Sequence, residues 1–254
     1  MEALSAATYA FLVAAGFLAG FVDSIAGGGG IITIPALLAA GLPAPLALGT
    51  NKLQSSFGSL TATLSYRSSG LVRLRHTLPG IAFTAVGAAL GTAAIQRLAP
   101  DLLERALPLV LVAVFIYLLV SPRVGEGAAR PRLPRLAFYA LCGLGIGFYD
   151  GFIGPGTGSF WALAFVALLG LDLRRATAHT KVMNFTSNIV SLAVFALGGK
   201  VLLLPGLAMG AGEVLGASLG SRLVIARGVR FVRLFFLAVV AATLARVLWR
   251  SYFA

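Results

Sequence analysis

From Ala3 to Val22 the chain runs without a single charged residue, and it does so again from Thr77 to Gln96 and from Ala106 to Pro122. A helix needs roughly 20 apolar residues to cross a hydrocarbon layer about 30 Å thick, so these stretches have the length a bilayer demands. The balance of the chain agrees. Of its 254 residues 59% are hydrophobic and 11% charged, where a soluble domain carries about 25% charged residues, and the mean hydropathy is +0.95. The expectation is an all-α, polytopic membrane protein with the lipid bilayer as its surroundings. The stretch from Ala3 lacks a basic leading region and runs directly into Asp23 and a glycine cluster, so it reads as retained structure rather than a cleaved signal.

A net charge of +12 raises the question of nucleic acid. The arginines, however, gather in short gaps between apolar runs: Arg67, Arg73 and Arg75; Arg123, Arg130, Arg132 and Arg135; Arg222, Arg227, Arg230 and Arg233. That distribution suits cytoplasmic loops of a membrane protein, and no nucleic-acid partner is expected. The single cysteine, Cys142, lies in an apolar run and reads as a packing residue.

The chain repeats itself. Gly16, Gly20, Asp23 and Gly27 recur 127 positions later as Gly143, Gly147, Asp150 and Gly154. After a two-residue insertion the offset becomes 129, which maps Lys52 onto Lys181, Gly70 onto Gly199, Gly87 onto Gly216 and Gly91 onto Gly220. The halves are then residues 1–120 and 135–254, joined by a basic, proline- and glycine-containing linker over 121–134. Each reads as five apolar segments, at about 5–22, 31–40, 51–66, 78–96 and 102–120, and at about 136–152, 159–169, 177–197, 205–225 and 231–249. The second of each set is too short to cross a bilayer alone and follows a glycine-rich break. Paired, interrupted segments of this kind mark transporter binding sites. Basic loops switch sides between the halves, as inverted-topology repeats require, although Arg246 and Arg250 do not follow the trend.

Two constellations carry chemistry. The first is Asp23-Ser24-Ile25-Ala26 followed by Gly27 to Gly30, with its counterpart from Asp150 through Gly156, Thr157 and Gly158. Consecutive glycines each cost about 1 kcal/mol in a helix relative to alanine. Irregular backbone at membrane depth persists only against protein or a water-lined cavity. Gly28, Gly29 and Gly30, and Gly156 to Gly158, are thus expected to aim helix N-termini at a cavity, where such ends bind anions. A flexible aqueous linker is the alternative. Close helix packing explains Gly16/Gly20, Gly87/Gly91 and Gly216/Gly220 better than function does.

The second constellation is Thr50, Asn51 and Lys52 with Gln54, and Thr180 and Lys181 with Asn184 and Asn188. Lys181, Asn184 and Asn188 share a helix face. An intramembrane charge normally has a partner or a function, although a lysine at a helix end can also reach the headgroups. Asp23 and Asp150 are candidates for pairing with the lysines or for carrying protons. Glu213, whose counterpart is Thr84, is a further proton-carrier candidate. No metal-ligand set, cofactor motif or nucleophile motif is present, so neither catalysis nor a cofactor is expected.

The stretches from Asp23 to Gly30, from Gly49 to Lys52, from Gly151 to Gly158 and from Ala178 to Asn184 resemble the signature stretches of the sulfite exporter TauE/SafE family. The resemblance covers nearly the whole chain and implies a multi-pass transporter of the bacterial or archaeal inner membrane. Family members are associated with sulfite, sulfoacetate and other organosulfur anions. The family is usually described with about eight spans against the ten segments counted here, and the short segments account for the difference. The expected function is secondary transport of a small anion bound between the halves, with a passive anion channel, or a carrier of another small solute, as the alternative. The expected substrate-contacting residues are Asp23, Ser24, Gly28 to Gly30, Thr50 to Lys52, Asp150, Gly156 to Gly158, Thr180, Lys181, Asn184 and Asn188.

Overall fold

A computed structural model describes residues 4–99 and 130–252, with the backbone alone from 229 onward. The described residues form eight α-helices and one short 3₁₀ turn, Leu74–His76. The helices are α1 (Ala6–Ala26), α2 (Gly30–Ala39), α3 (Ala44–Ser68), α4 (Leu78–Ile95), α5 (Arg135–Phe152), α6 (Thr157–Leu169), α7 (Leu173–Leu197) and α8 (Leu203–Tyr252). Among the described residues, four stretches are long and apolar enough to cross a membrane: Ala6–Ala26, Leu78–Ile95, Leu173–Leu197 and Leu203–Gly228. This is a polytopic, all-helical membrane protein.

Local chemistry sets the helix ends. Ser5 accepts a hydrogen bond from the Thr8 amide at 3.1 Å and so caps α1. Asp172 does the same for α7 through the Arg175 amide at 3.0 Å. Pro45 and Pro79 stand in the first turns of α3 and α4, where a missing N–H costs nothing. Gly170, at φ 67, closes α6 in the left-handed conformation.

Several boundaries differ from those expected. Helix α1 continues past 22 to Ala26, so Asp23 lies in its last turn rather than in the glycine break. Helices α3 and α7 begin at Ala44 and Leu173, which puts Lys52 and Lys181 well inside a helix, not at its start. Pro45 and Gly49 in α3, and Arg174 and Arg175 in α7, hid the opening turns from an apolar count. The segments expected at 205–225 and 231–249 are one assigned helix with a break at Gly228, φ 70 and ψ −160. Arg222 and Arg227 therefore stand on helix rather than in a loop. The segment at 102–120 and the linker up to 129 lie outside the described residues.

The two pseudo-equivalent outer pairs, α1 with α8 and α4 with α5, are held by small residues. A Cβ on Gly16 would come within 2.1 Å of the Met209 carbonyl oxygen, and one on Gly216 within 2.0 Å of that of Phe17. Between α4 and α5, a Cβ on Gly91 would lie 2.0 Å from the Phe148 oxygen and one on Gly151 2.1 Å from that of Ala88. Lipid offers no hydrophobic drive for helix association, so such close backbone approach supplies much of it. By the repeat, α5 corresponds to α1 and α8 to α4. The first helix of each half thus packs on the fourth helix of the other.

Between these pairs run α3 and α7, and the short α2 and α6 enter from opposite halves. The buried rings of Phe138, Trp161 and Phe165 fix α6 to α5, with centroids 5.1 Å apart for Phe138–Phe165 and 6.2 Å for Phe138–Trp161; such pairs add about 0.5–1.5 kcal/mol each. Outward-facing Leu18, Leu90, Leu141 and Leu215 are exposed, as a lipid-facing surface requires.

Candidate functional site

The glycine breaks shape the site. Gly27 and Gly28 (φ 79 and 101) separate α1 from α2, and Gly154 and Gly156 (φ 94 and 78) separate α5 from α6. All four adopt conformations that only glycine takes freely. The two breaks meet: a Cβ on Gly27 would lie 2.6 Å from the Gly158 carbonyl carbon, and one on Gly158 would lie 2.8 Å from the Gly27 Cα. Ser159 Oγ donates to the Ala26 carbonyl across this contact at 3.1 Å.

Around the contact lies a cavity lined by Asp23, Gly28, Gly29, Gly30, Asn51, Lys52, Ser55, Asp150, Gly154, Gly156, Thr157, Gly158, Asn184 and Asn188. Helices α2 and α6 both start at its wall. Turn bonds engage Ile31, Ile32, Thr33, Thr157 and Ser159 through their amides, and the Gly29 amide donates to Asp23 Oδ1 at 3.3 Å. The amides of Gly30 and Gly158, at the two helix starts, are not taken up by these bonds.

The charges pair across the halves. Lys52 Nζ donates to Asp150 Oδ1 at 2.7 Å and to the Asp150 carbonyl at 2.5 Å. Lys181 Nζ donates to Asp23 Oδ2 at 2.8 Å. Each lysine of α3 or α7 thus holds the aspartate that ends the first helix of the other half. Ser187 Oγ donates to the other oxygen of Asp150, and Asn188 Oδ1 accepts from Lys52 at 3.5 Å. The side chains of Lys52 and Asp150 are 2% and 6% exposed, and those of Lys181 and Asp23 0% and 21%. Asp23 is the most accessible of the four. Buried pairs repay their desolvation only with good geometry and further hydrogen bonds, and the Lys52–Asp150 pair has both. Gly154 makes room for it, since a Cβ there would lie 2.8 Å from Asp150 Oδ1 and 2.9 Å from Lys52 Nζ.

Not every expected residue reaches the cavity. Ser24 donates to the Phe21 carbonyl at 2.9 Å, and its own carbonyl accepts from Tyr66. Thr50 Oγ1 accepts from the Leu202 amide at 3.0 Å. Thr180 is buried away from the lining, its hydroxyl without a partner among the described residues. Lys181 stands behind Asp23 rather than on the wall, and Glu213 is buried outside the lining. Ser55 and Gly154 line the cavity unanticipated. Ser55 follows Lys52 by one helical turn, a spacing that a face count on α3 reveals. Gly154 was the repeat partner of Gly27 but was treated only as part of the break.

Chemically, the wall offers two positive helix ends and the charged groups of Lys52, Asp23 and Asp150, with Lys181 behind Asp23. Amide groups of Asn51, Asn184 and Asn188 stand among them. Asn51 Oδ1 is engaged by Thr33 at 2.6 Å and Gln54 at 2.8 Å, which leaves its NH₂ to donate. The buried Asn184 Oδ1 has no partner among the described residues and suits a solute or water bearing an O–H. Each lysine is matched by an aspartate, so the helix ends carry the partial positive charge that has no counter-charge beside it.

The family described as Sulfite exporter TauE/SafE matches residues 12–247 of the chain. A protein of Haemophilus influenzae named "Probable membrane transporter protein" is 47% identical over 88% of this chain and 88% of its own length. "Probable membrane transporter protein YfcA" of Escherichia coli K12 is 46% identical over 92% of this chain and 87% of its own. A Sinorhizobium protein, also named a probable membrane transporter, is 46% identical over 98% of this chain and 95% of its own length. No solved structure matches.

Proposed function

Because the chain belongs to the sulfite exporter TauE/SafE family, we propose that it is a secondary transporter of a small anion, sulfite or an organosulfur anion, residing in the cell inner membrane. The observation that carries the reading is the meeting of the two glycine breaks at a cavity bordered by two cross-half ion pairs. The halves, 1–120 and 135–254, act as inverted-topology repeats about that meeting point, the arrangement that places a solute midway through the bilayer.

The anion lies against the starts of α2 and α6. There the amides of Gly30 and Gly158 donate to its oxygens, with Asn51, Asn184, Asn188 and Thr157 completing the shell. Helix N-termini attract an anion through their partial positive charge without an unpaired cation. Lys52 and Lys181 act by holding Asp150 and Asp23, so that the fixed charge around the solute stays balanced while it is bound. Asp23 and Asp150, as the carboxylates nearest the solute, are the groups through which a proton enters the cycle. Movement of one α1–α8 or α4–α5 unit against the other would open the meeting point to alternate sides.

Flux into proteoliposomes of purified protein, compared among sulfite, sulfate, thiosulfate and sulfoacetate, tests the proposal. Saturable flux of at least one sulfur anion, with competition from the others, is expected. No saturable flux of any of them would contradict it. Single-channel conductance far above carrier turnover would replace the carrier by a passive anion channel.

A further inference from the structure

A third buried carboxyl stands behind the cavity. Glu213, on α8, is 2% exposed and is wedged between α1 and α3. A Cβ on Gly20 would lie 2.5 Å from its carbonyl oxygen, and a Cβ on Gly58 would lie 2.2 Å from its Oε2. Gly20 is one helical turn before Asp23 on α1, and Gly58 leaves the carboxyl its space on α3. The charged groups on the neighbouring turn are Asp23, three residues beyond Gly20 on α1, and Lys181 of α7, which is bonded to Asp23. Helix α3 faces it with uncharged Gly58, and α8 carries no other charge before Arg222.

The two halves differ here. Lys52 serves one carboxylate, Asp150. At the place equivalent to Glu213 the first half has Thr84, whose hydroxyl contacts Met183 Sδ at 3.5 Å. The Lys181–Asp23 pair thus has a second carboxyl one helical turn away, at the Gly20 contact, and the Lys52–Asp150 pair has a threonine at the equivalent place. With all three groups ionised, Asp23, Glu213 and Lys181 would leave a net negative charge in a region withdrawn from water. An uncompensated buried charge neutralises itself by taking a proton. Asp23 is bonded to Lys181 and to the Gly29 amide, whereas Glu213 is the more deeply buried of the two.

We propose that Glu213 holds a proton while Asp23 is paired with Lys181, and that passing this proton to Asp23 couples the cavity solute to proton movement. The proposal rests on the anion-transport reading and deepens it. In the step, the proton leaves the Glu213 carboxyl and joins the Asp23 carboxylate, and the Lys181 ammonium turns from Asp23 to the newly charged Glu213. The charge of the three groups is unchanged. The cavity wall, however, loses the negative charge of Asp23, and an anion binds more readily. By linkage the anion in turn favours the protonated Asp23. Release of the anion lets Asp23 give its proton to cavity water, and Glu213 then takes up another, so one proton travels with each anion.

Two readouts test this. In infrared spectra of the purified protein at neutral pH, the carbonyl stretch of a protonated carboxylic acid is expected in the unaltered protein and absent from Glu213→Gln. In proteoliposomes with ³⁵S-labelled sulfite, an inward proton gradient is expected to raise uptake on the order of tenfold, the scale of a usual coupling free energy. Glu213→Gln should lose that stimulation and keep sulfite exchange at equal pH. Gly58→Ala, which crowds Oε2, should shift the infrared band and weaken the stimulation in a protein with its own carboxyl intact. Persistence of the infrared band in Glu213→Gln, or full gradient-driven uptake by that variant, would overturn the inference. Absence of sulfite flux from the unaltered protein would count against the substrate reading, and the infrared result would still decide where the proton sits.

Discussion

Gly27 and Gly158 touch backbone to backbone, so that the interruption in one half is the wall against which the interruption in the other rests. The contact leaves no room for a side chain on either residue, and Gly27 also has φ 79. It is the point at which the two glycine breaks meet beside the cavity.

Alanine at Gly27 or Gly158 is therefore expected to lower stability by about 1–3 kcal/mol through overpacking and to abolish flux. Gly145→Ala on α5 meets nothing within 4 Å and should be neutral or stabilising by up to about 1 kcal/mol. Thermal unfolding in detergent, run beside the flux assay, separates the three.

The two aspartates should respond unequally. Asp150 is engaged by Lys52 and Ser187 in full burial, so Asp150→Asn leaves a buried lysine without its counter-charge, a loss of about 3–5 kcal/mol. Asp23 keeps partial exposure, and Asp23→Asn should cost less, about 1–3 kcal/mol. Unfolding midpoints of the two variants check the order, and equal losses would contradict it.

Valine at Gly91 or Gly216 is expected to force α4 from α5 or α1 from α8, with a loss of about 1–3 kcal/mol or failure to fold. The Phe148 and Phe17 carbonyls stand 2.0 Å from the added Cβ. Yield and monodispersity in detergent measure this, with Gly145→Val on an open face as the control.

Much of the architecture was written in repeated features. The uncharged runs, the constant offset and the paired glycine breaks follow from the length and backbone chemistry that lipid imposes, so they appear in the residue order itself. What the order does not carry is which lysine meets which aspartate. Lys52 could have held Asp23, in its own half, and only the exchange of helices between halves brings it to Asp150. Ser24, Thr50 and Thr180 looked like solute ligands because hydroxyls suit oxyanions. The first two bond backbone groups instead, a destination invisible until the neighbouring helix is in place. The early start of α7 was hidden because Arg174 and Arg175 in its first turn register as loop when only apolar runs are counted, and that of α3 because Pro45 and Gly49 interrupt its opening turns. Lys52 and Lys181 consequently sit deeper in their helices than an apolar count places them.

The most direct test of the cavity as the solute site uses the protein's own economy of thiols. Cys142 is the sole cysteine and is buried, so Ser55→Cys in a Cys142→Ala background places one thiol on the cavity wall. The rate of its alkylation by iodoacetamide is measured with and without a saturating concentration of the anion found to be transported. The account predicts several-fold slower alkylation with the anion present, comparable to a bound ligand's shift of site occupancy, and no slowing at a cysteine placed at the exposed Leu197, at the end of α7 and outside the cavity lining. An unchanged rate at position 55, in a variant that still transports, would show that the solute passes elsewhere.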